Sequence, residues 1–229
     1  MKGKPLHRIW VAYREGGVRL VAHKTLSRVS CESVLYALDL ERELPEVSSG
    51  VPLEVRELSA AEVHRYVALR PEEDPEGVLA RLRDGHVCWA TWDGDRIVGC
   101  AWIRFDQMWL SEIGKSISLR PGEVYGYDSY TDPEHRARGA ASMRAVTLIR
   151  HVKRLGYRRL VAYVIRENTP GRAALEALGF VRSGCIRWLH AGRYGLEVRT
   201  GASARPRVGV HVQPRPVQSG RAVVDLSAR

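Results

Sequence analysis

One stretch constrains this chain more than any other: Tyr127-Asp128-Ser129-Tyr130-Thr131-Asp132-Pro133-Glu134-His135-Arg136-Ala137-Arg138-Gly139-Ala140-Ala141-Ser142. A strand pattern meets a proline turn, and a run of small residues then opens directly into a helix. A helix start leaves about four backbone N–H groups without partners and carries partial positive charge. Gly139, Ala140 and Ala141 keep bulky side chains away, so an anion can come close to those N–H groups. Arg136 and Arg138 add mobile positive charge at the same place. The segment from Arg136 through Ala137, Arg138, Gly139, Ala140 and Ala141 to Ser142 therefore reads as a phosphate site. Gly-x-Gly-x-x-Gly and the Gly-Lys-Ser/Thr ending are both absent from it, which excludes the nicotinamide fingerprint and a Walker loop.

The flanking pattern is regular. Leu53 to Leu58 alternates as a strand, and Ser59-Ala60-Ala61-Glu62 is a capping box that opens a helix ending before Pro71. A second helix runs from Asp74-Pro75 to Gly85. His86 to Trp92 and Arg96 to Arg104 form a hairpin about Asp93-Gly94-Asp95. Phe105 to Pro121 reads as loop, and Glu123 to Thr131 as a strand. Residues 140–155 give the clearest helix: Met143, Val146, Ile149 and Val152 recur three apart, with Leu148 and Leu155 alongside. Arg144, Arg150, Lys153 and Arg154 take the other positions, and Gly156 ends the helix. Then follow a strand over Arg159 to Ile165, a short helix from Thr169-Pro170 to Gly179, and strands near Phe180–Leu189 and Tyr194–Arg199.

Outside this block the pattern changes. Residues 1–50 hold two alternating stretches about Glu15-Gly16-Gly17, a strand-like run Ser33 to Leu38, and a linker from Glu41 to Gly50. They read as a small N-terminal β extension. Residues 201–229 are dominated by Pro, Arg, Gly and Ser and are expected to be a disordered basic tail, with Arg205, Arg207, Arg215, Arg221 and Arg229 against Asp225. Residues 51–200 form the main domain.

Net charge is +10, which suits a polyanionic ligand and equally suits nucleic-acid contact. No apolar run approaches the ~18 residues needed to span a bilayer, and the start is no apolar leader, so a cytoplasmic protein is expected. Cys31, Cys88, Cys100 and Cys185 lack Cys-x-x-Cys spacing and read as free thiols, with no metal site.

Two motifs now stand in register. Arg136-x-x-Gly139-x-Ala141, three residues after Pro133 at a strand end, resembles the acyl-CoA signature of the GNAT superfamily. Asn168 with Gly179-Phe180 resembles that family's later Asn…Gly-Phe motif, and the element order from 51 to about 199 matches. The resemblance implies an α/β (α+β) fold with a mixed, splayed central β-sheet flanked by helices. It implies acetyl-CoA, or another acyl-CoA, as co-substrate, entering the split. The pantetheine arm would pair with the backbone of Ser129, Tyr130 and Thr131, the pyrophosphate would rest on Arg136 to Ser142, and Asn168 would contact the arm or hold the loop. The activity implied is acyl transfer to a small-molecule or peptide amine.

One departure bears on catalysis. Leu175 stands where many family members carry a tyrosine that protonates the departing thiolate. Tyr130, Tyr127 and Tyr125 are nearby alternatives. An amine nucleophile must lose a proton. Asp128 and Glu123 are the candidate bases, on opposite faces by alternation, with Asp128 nearer the cofactor end; Glu112 is weaker. His135 reads as a surface residue and Trp89 and Trp102 as core, while Trp109 could line an acceptor pocket. A non-catalytic acyl-CoA sensor, a basic nucleic-acid-associated module and a homodimer stay open.

Overall fold

The computed structural model describes residues 30–43, 52–110, 115–191, 194–201 and 204–212. Strands β1 (Ser30–Asp39), β2 (Glu54–Glu57), β3 (Val87–Asp93), β4 (Arg96–Arg104), β7 (Glu123–Thr131), β8 (Arg159–Ile165), β9 (Val181–Ala191), β10 (Tyr194–Gly201) and β11 (Ala204–Val212) form one sheet. Its order is β11-β10-β9-β1-β8-β7-β4-β3-β2. A separate hairpin, β5 (Gln107–Leu110) with β6 (Lys115–Ser118), stands in the region expected to be loop. The helices are α1 (Val63–Leu69), α2 (Pro75–Arg83), α3 (Ala140–Arg154) and α4 (Thr169–Ala177). None of the described helices is long and apolar enough to cross a membrane.

Every neighbouring pair in the large sheet is antiparallel except β7 and β8, which follow each other through α3 and run parallel. That pair holds together only over Glu123–Tyr125 against Arg159–Val161. From Gly126 onward β7 keeps β4 on one side and has left β8 on the other. The sheet is therefore mixed and splayed, as the resemblance implied, and the wedge opens toward the start of α3.

The two faces of the sheet are packed differently. On one, α3 and α4 cover Val34, Tyr36, Leu38, Trp89, Ile103, Leu160 and Phe180 with Leu148, Ile149 and Val152. On the other, α1 and α2 bring Val63, Tyr66 and Val78 against Cys88, Ala90, Trp92, Cys100 and Trp102. Further along that face the β5–β6 hairpin sets Met108 and Leu110 against Tyr125, Ile186 and Trp188. Tyr127 packs against both of these last clusters. Trp89 and Trp102 are core residues as expected, whereas the Trp109 ring is 46% exposed on β5.

Local signals account for most element ends. The Ser59 N–H donates to Glu62 Oε2 at 3.0 Å ahead of the turn into α1. Asp74 caps α2 by accepting from the Gly77 N–H at 3.0 Å. At the end of α3, Gly156 takes φ 87°, the Gly156 N–H bonds to Lys153 O and the Tyr157 N–H to Val152 O. Those two bonds are the Schellman closure that needs a residue without a Cβ penalty.

Three expectations are corrected. The run expected to belong to a small N-terminal β extension is a central strand: β1 pairs with β8 over Ser33–Asp39 and with β9 over Ser30–Ala37. Its continuous apolar run Val34 to Leu38 is what burial on both faces demands. The tail expected to be disordered holds β11, whose Val208, Val210 and Val212 alternate and whose Pro206 is tolerated because β11 is the outermost strand. Finally, Arg144 is buried at 1% exposure rather than on the polar face of α3. The Glu15-Gly17 turn, Glu112 and the residues after 212 lie outside the described residues.

Candidate active site

The anion loop begins at Asp132, which caps a 3-10 turn over Pro133–His135 by accepting from the Glu134 N–H at 3.1 Å. Its other oxygen holds Arg96 at 2.5 Å. Arg136 is extended, Ala137 takes φ 60° and Gly139 φ 82°, so the backbone turns through two left-handed residues before α3 starts at Ala140. No side chain caps α3. Its first N–H groups, at Ala140, Ala141 and Ser142, face a loop already curved for an anion. Arg136 is exposed; its Nε donates to Thr131 O at 3.1 Å, and its guanidinium lies 5.9 Å from the Tyr130 ring centre. Arg138 is exposed beside it. His135, expected on the surface, is 8% exposed and pairs through Nε2 with Asp93 at 3.2 Å. It anchors the loop to the β3–β4 hairpin.

Next comes β7 itself. Tyr127 pairs with Trp102 and Tyr130 with Cys100, so Asp128 and Ser129 together oppose Ala101. This is a β-bulge, and Asp128 occupies its left-handed position at φ 47°. The bulge resets the alternation of the strand. Tyr127, Asp128 and Tyr130 all address the α1–α2 side, so the face expected from strict alternation is not the one observed. The Asp128 carboxylate is held at 3.0 Å by Arg70 and at 3.3 Å by Arg81. Those arginines are braced in turn by Glu72 at 2.6 Å and Glu73 at 2.7 Å. Burial lowers the basicity of Arg70, but the Asp128 charge and the hydrogen bond to Glu72 together outweigh it and the net shift is upward. Arg70 also lies over Tyr130 and Arg81 over Trp102. Asp128 thus ties the bulge to two helix ends, and a proton taken there would break two ion pairs.

Glu123 sits at the start of β7, before the strands part. It accepts from the Arg120 N–H at 3.0 Å and lies 3.5 Å from Arg159. The strand rise places it roughly 16 Å from the bulge. Asn168 caps α4, its Oδ1 accepting from the Gly171 N–H at 3.0 Å, so it holds the loop. Leu175 packs against the core beneath α4.

Two residues escaped the sequence reading. His86, just ahead of β3, forms a short hydrogen bond with the Tyr127 hydroxyl. Burial, reinforced by Arg104, holds the His86 imidazole below its ordinary range, and burial pushes the Tyr127 phenol up. The imidazole is therefore neutral at pH 7 and can accept from the phenol. Nothing local marks this pair, which spans 41 residues. Arg144 is the other. Ala140, Arg144, Leu148 and Val152 recur every four residues on the buried stripe of α3, a signal that the three-apart reading passed over. Burial lowers its basicity, opposed by the nearby Cys100 and Cys88 thiols.

A splayed sheet, a bulged strand at its opening and an uncapped helix start together form an open edge suited to an anion. The chain belongs to the acetyltransferase (GNAT) family, whose sequence pattern it matches over residues 54–180. It is 34% identical over 89 residues to a mycothiol acetyltransferase of Corynebacterium glutamicum, a match covering 39% of this chain and 26% of that protein. A mycothiol acetyltransferase of Geodermatophilus obscurus is 33% identical over 103 residues, covering 44% of this chain and 30% of that protein. The matched part therefore spans under a third of either relative. Among solved structures, a GNAT-family acetyltransferase from Novosphingobium aromaticivorans superposes with a TM-score of 0.51 at 16% identity, over 69% of this chain and 62% of that one. The fold is shared.

Proposed function

We propose that this chain moves an acetyl group, or another small acyl group, from acyl-CoA to a primary amine. The observation that carries the reading is the wedge between β7 and β8, whose bulged wall leads to the uncapped, arginine-flanked start of α3. The residues fit the ligand. Among the described residues, no strand pairs with the β7 backbone on the wedge side from Gly126 onward, so an amide-containing arm can extend the sheet there along Ser129, Tyr130 and Thr131. The diphosphate would be held by the N–H groups of Ala140, Ala141 and Ser142, with Arg136, Ala137, Arg138 and Gly139 forming the approach. Relatives named as mycothiol acetyltransferases support the same chemistry.

Bound acyl-CoA supplies an activated thioester; the chain supplies orientation, a polar backbone and a proton acceptor. The bulge at Asp128 and Ser129 breaks the β4–β7 pairing where the strand enters the wedge, leaving backbone N–H groups there to polarise a carbonyl. Asp128 keeps that bulge in place through Arg70 and Arg81. As the amine nitrogen bonds to the acyl carbon and the carbon–sulfur bond breaks, coenzyme A leaves as its thiolate; the amine's proton passes to Tyr127, whose own proton moves to the neutral His86. Tyr127 stacks with Tyr125, which stacks with Tyr163, so an aromatic wall flanks this point for the acceptor. Glu123 lies further down the strand as a second base candidate, and Tyr130 faces Arg70 and Arg136 at the cofactor side.

A second reading, an acyl-CoA sensor without turnover, is favoured by one observation: Leu175 packs into the core where a proton donor would stand. Acetyl-CoA is expected to raise the melting temperature, and a panel of small primary amines to release free thiol from it. Absence of any stabilisation by acetyl-CoA overturns both readings. Stabilisation without thiol release from any amine leaves the sensor.

A further inference from the structure

Arg144 has a environment that a structural arginine does not need. Its side chain is fully buried in the middle of α3, and among the described residues no carboxylate forms an ion pair with it. Its guanidinium meets hydroxyls instead. Nη1 donates to Thr91 Oγ1 at 2.9 Å, and Nη2 donates to Thr131 Oγ1 at 3.1 Å and Ser129 Oγ at 3.3 Å. Space has been cleared for it: a Cβ on Gly99 would stand 2.3 Å from Nη1. Burying a cation without an anion is unfavourable, and an apolar side chain on the same stripe as Leu148 and Val152 would avoid it. What an arginine does here and a leucine cannot is donate.

That donation fixes the direction of the hydroxyls. A guanidinium has no acceptor, so a hydroxyl oxygen that accepts from it must send its own proton elsewhere. Ser129 is exposed and Thr131 half-buried, and both lie on the part of β7 that has parted from β8. We propose that Arg144 is a positioning residue for the acyl-pantetheine arm: it turns the Ser129 and Thr131 hydroxyls into hydrogen-bond donors for the arm's amide carbonyls. The inference rests on the acyl-CoA reading above. It assigns the cation to the arm, not to the phosphates, which have Arg136, Arg138 and the start of α3. Loss of an interaction with a charged group has a larger effect than loss of a neutral one.

Titration calorimetry and thermal melting of Arg144→Leu test this. The expected result is acetyl-CoA binding at least tenfold weaker than wild type, with the melting temperature of the free protein unchanged or higher. Binding of the nucleotide half of coenzyme A, which lacks the arm, is expected to stay within twofold. Arg144→Lys should recover part of the loss. The double variant Ser129→Ala, Thr131→Val should reproduce it, and adding Arg144→Leu to that pair should weaken binding no further. Should Arg144→Leu not fold, that double variant decides the matter alone. Wild-type affinity in Arg144→Leu or in the double variant overturns the inference. So does an equal loss for the nucleotide half, or a fall in melting temperature that tracks the fall in affinity, since either marks a general disturbance of α3. Failure of the wild-type protein to bind acetyl-CoA overturns the acyl-CoA reading itself, a separate result.

Discussion

The two sides of β7 handle buried charge in opposite ways. Toward α1 and α2, Asp128 is clasped by Arg70 and Arg81, and Glu72 and Glu73 complete the network. Toward α3, Arg144 meets only the hydroxyls of Thr91, Ser129 and Thr131. A network in which every guanidinium has a carboxylate is finished without a ligand, and its energy goes into holding a strained bulge in one geometry. A lone cation is unfinished. The lesson is that residues of the same type, on the two faces of one strand, serve rigidity on one side and recognition on the other.

The sharpest way to break the comparison is through the proton pair on the balanced side. Tyr127→Phe and His86→Gln are each expected to lower kcat by about a hundredfold, the ordinary scale for a general base, with acetyl-CoA affinity unchanged. Steady-state kinetics across pH checks this. Burial, with Arg104 behind it, lowers the His86 pKa, so the neutral form persists to lower pH than in an ordinary histidine. The sign follows: wild-type activity should be full near pH 7 and fall only below the ordinary histidine range, and that limb should disappear in His86→Gln. The linked stability term runs the same way, present above the unfolded pKa and lost as pH falls.

Asp128→Ala comes next. It leaves two guanidiniums facing each other, and because their side chains keep 13% and 21% exposure the loss is discounted from the fully buried case. A destabilisation of ~2–3 kcal/mol in urea unfolding is expected. If stability is unchanged, the clasp is not what holds the bulge. Gly99→Ala attacks the other side. The added methyl displaces the Arg144 guanidinium, and acetyl-CoA binding should weaken about tenfold, ~1.4 kcal/mol, by calorimetry. Arg136→Ala is the smallest. An exposed cation is screened by water and salt, so an affinity loss of roughly threefold, fading at high salt, is expected. A loss larger than that of Gly99→Ala would invert the ranking of buried over exposed charge.

Sequence alone carried the local half of this structure. The uncapped helix start, the β3–β4 hairpin, the caps of α2 and the Gly156 closure are written in residues within a turn of one another. The rest depends on partners far along the chain. Nothing near Val34 announces that its neighbours are Val164 and Cys185. The same holds at the site. Asp128 reads as an open carboxylate until α1 and α2 bring Arg70 and Arg81 to it, and the bulge undoes the alternation that sequence spacing assumes. The β5–β6 hairpin is not legible in the sequence because its strands of four residues are too short for periodicity to speak. Arg144 was half legible: its four-residue spacing places it on the buried stripe, but only the hydroxyls around it explain why a charge is there.

The place of β1 has a consequence for how the chain comes together. During synthesis this strand emerges well before either of its neighbours, since β8 begins at Arg159 and β9 at Val181. Its apolar run must therefore wait, unpaired, until β8 and β9 have left the ribosome. The half of the sheet from β8 to β11 closes only around the sequence-distant β1, so loop-closure entropy is met late. Assembly of that half is therefore expected to be the slow step of folding.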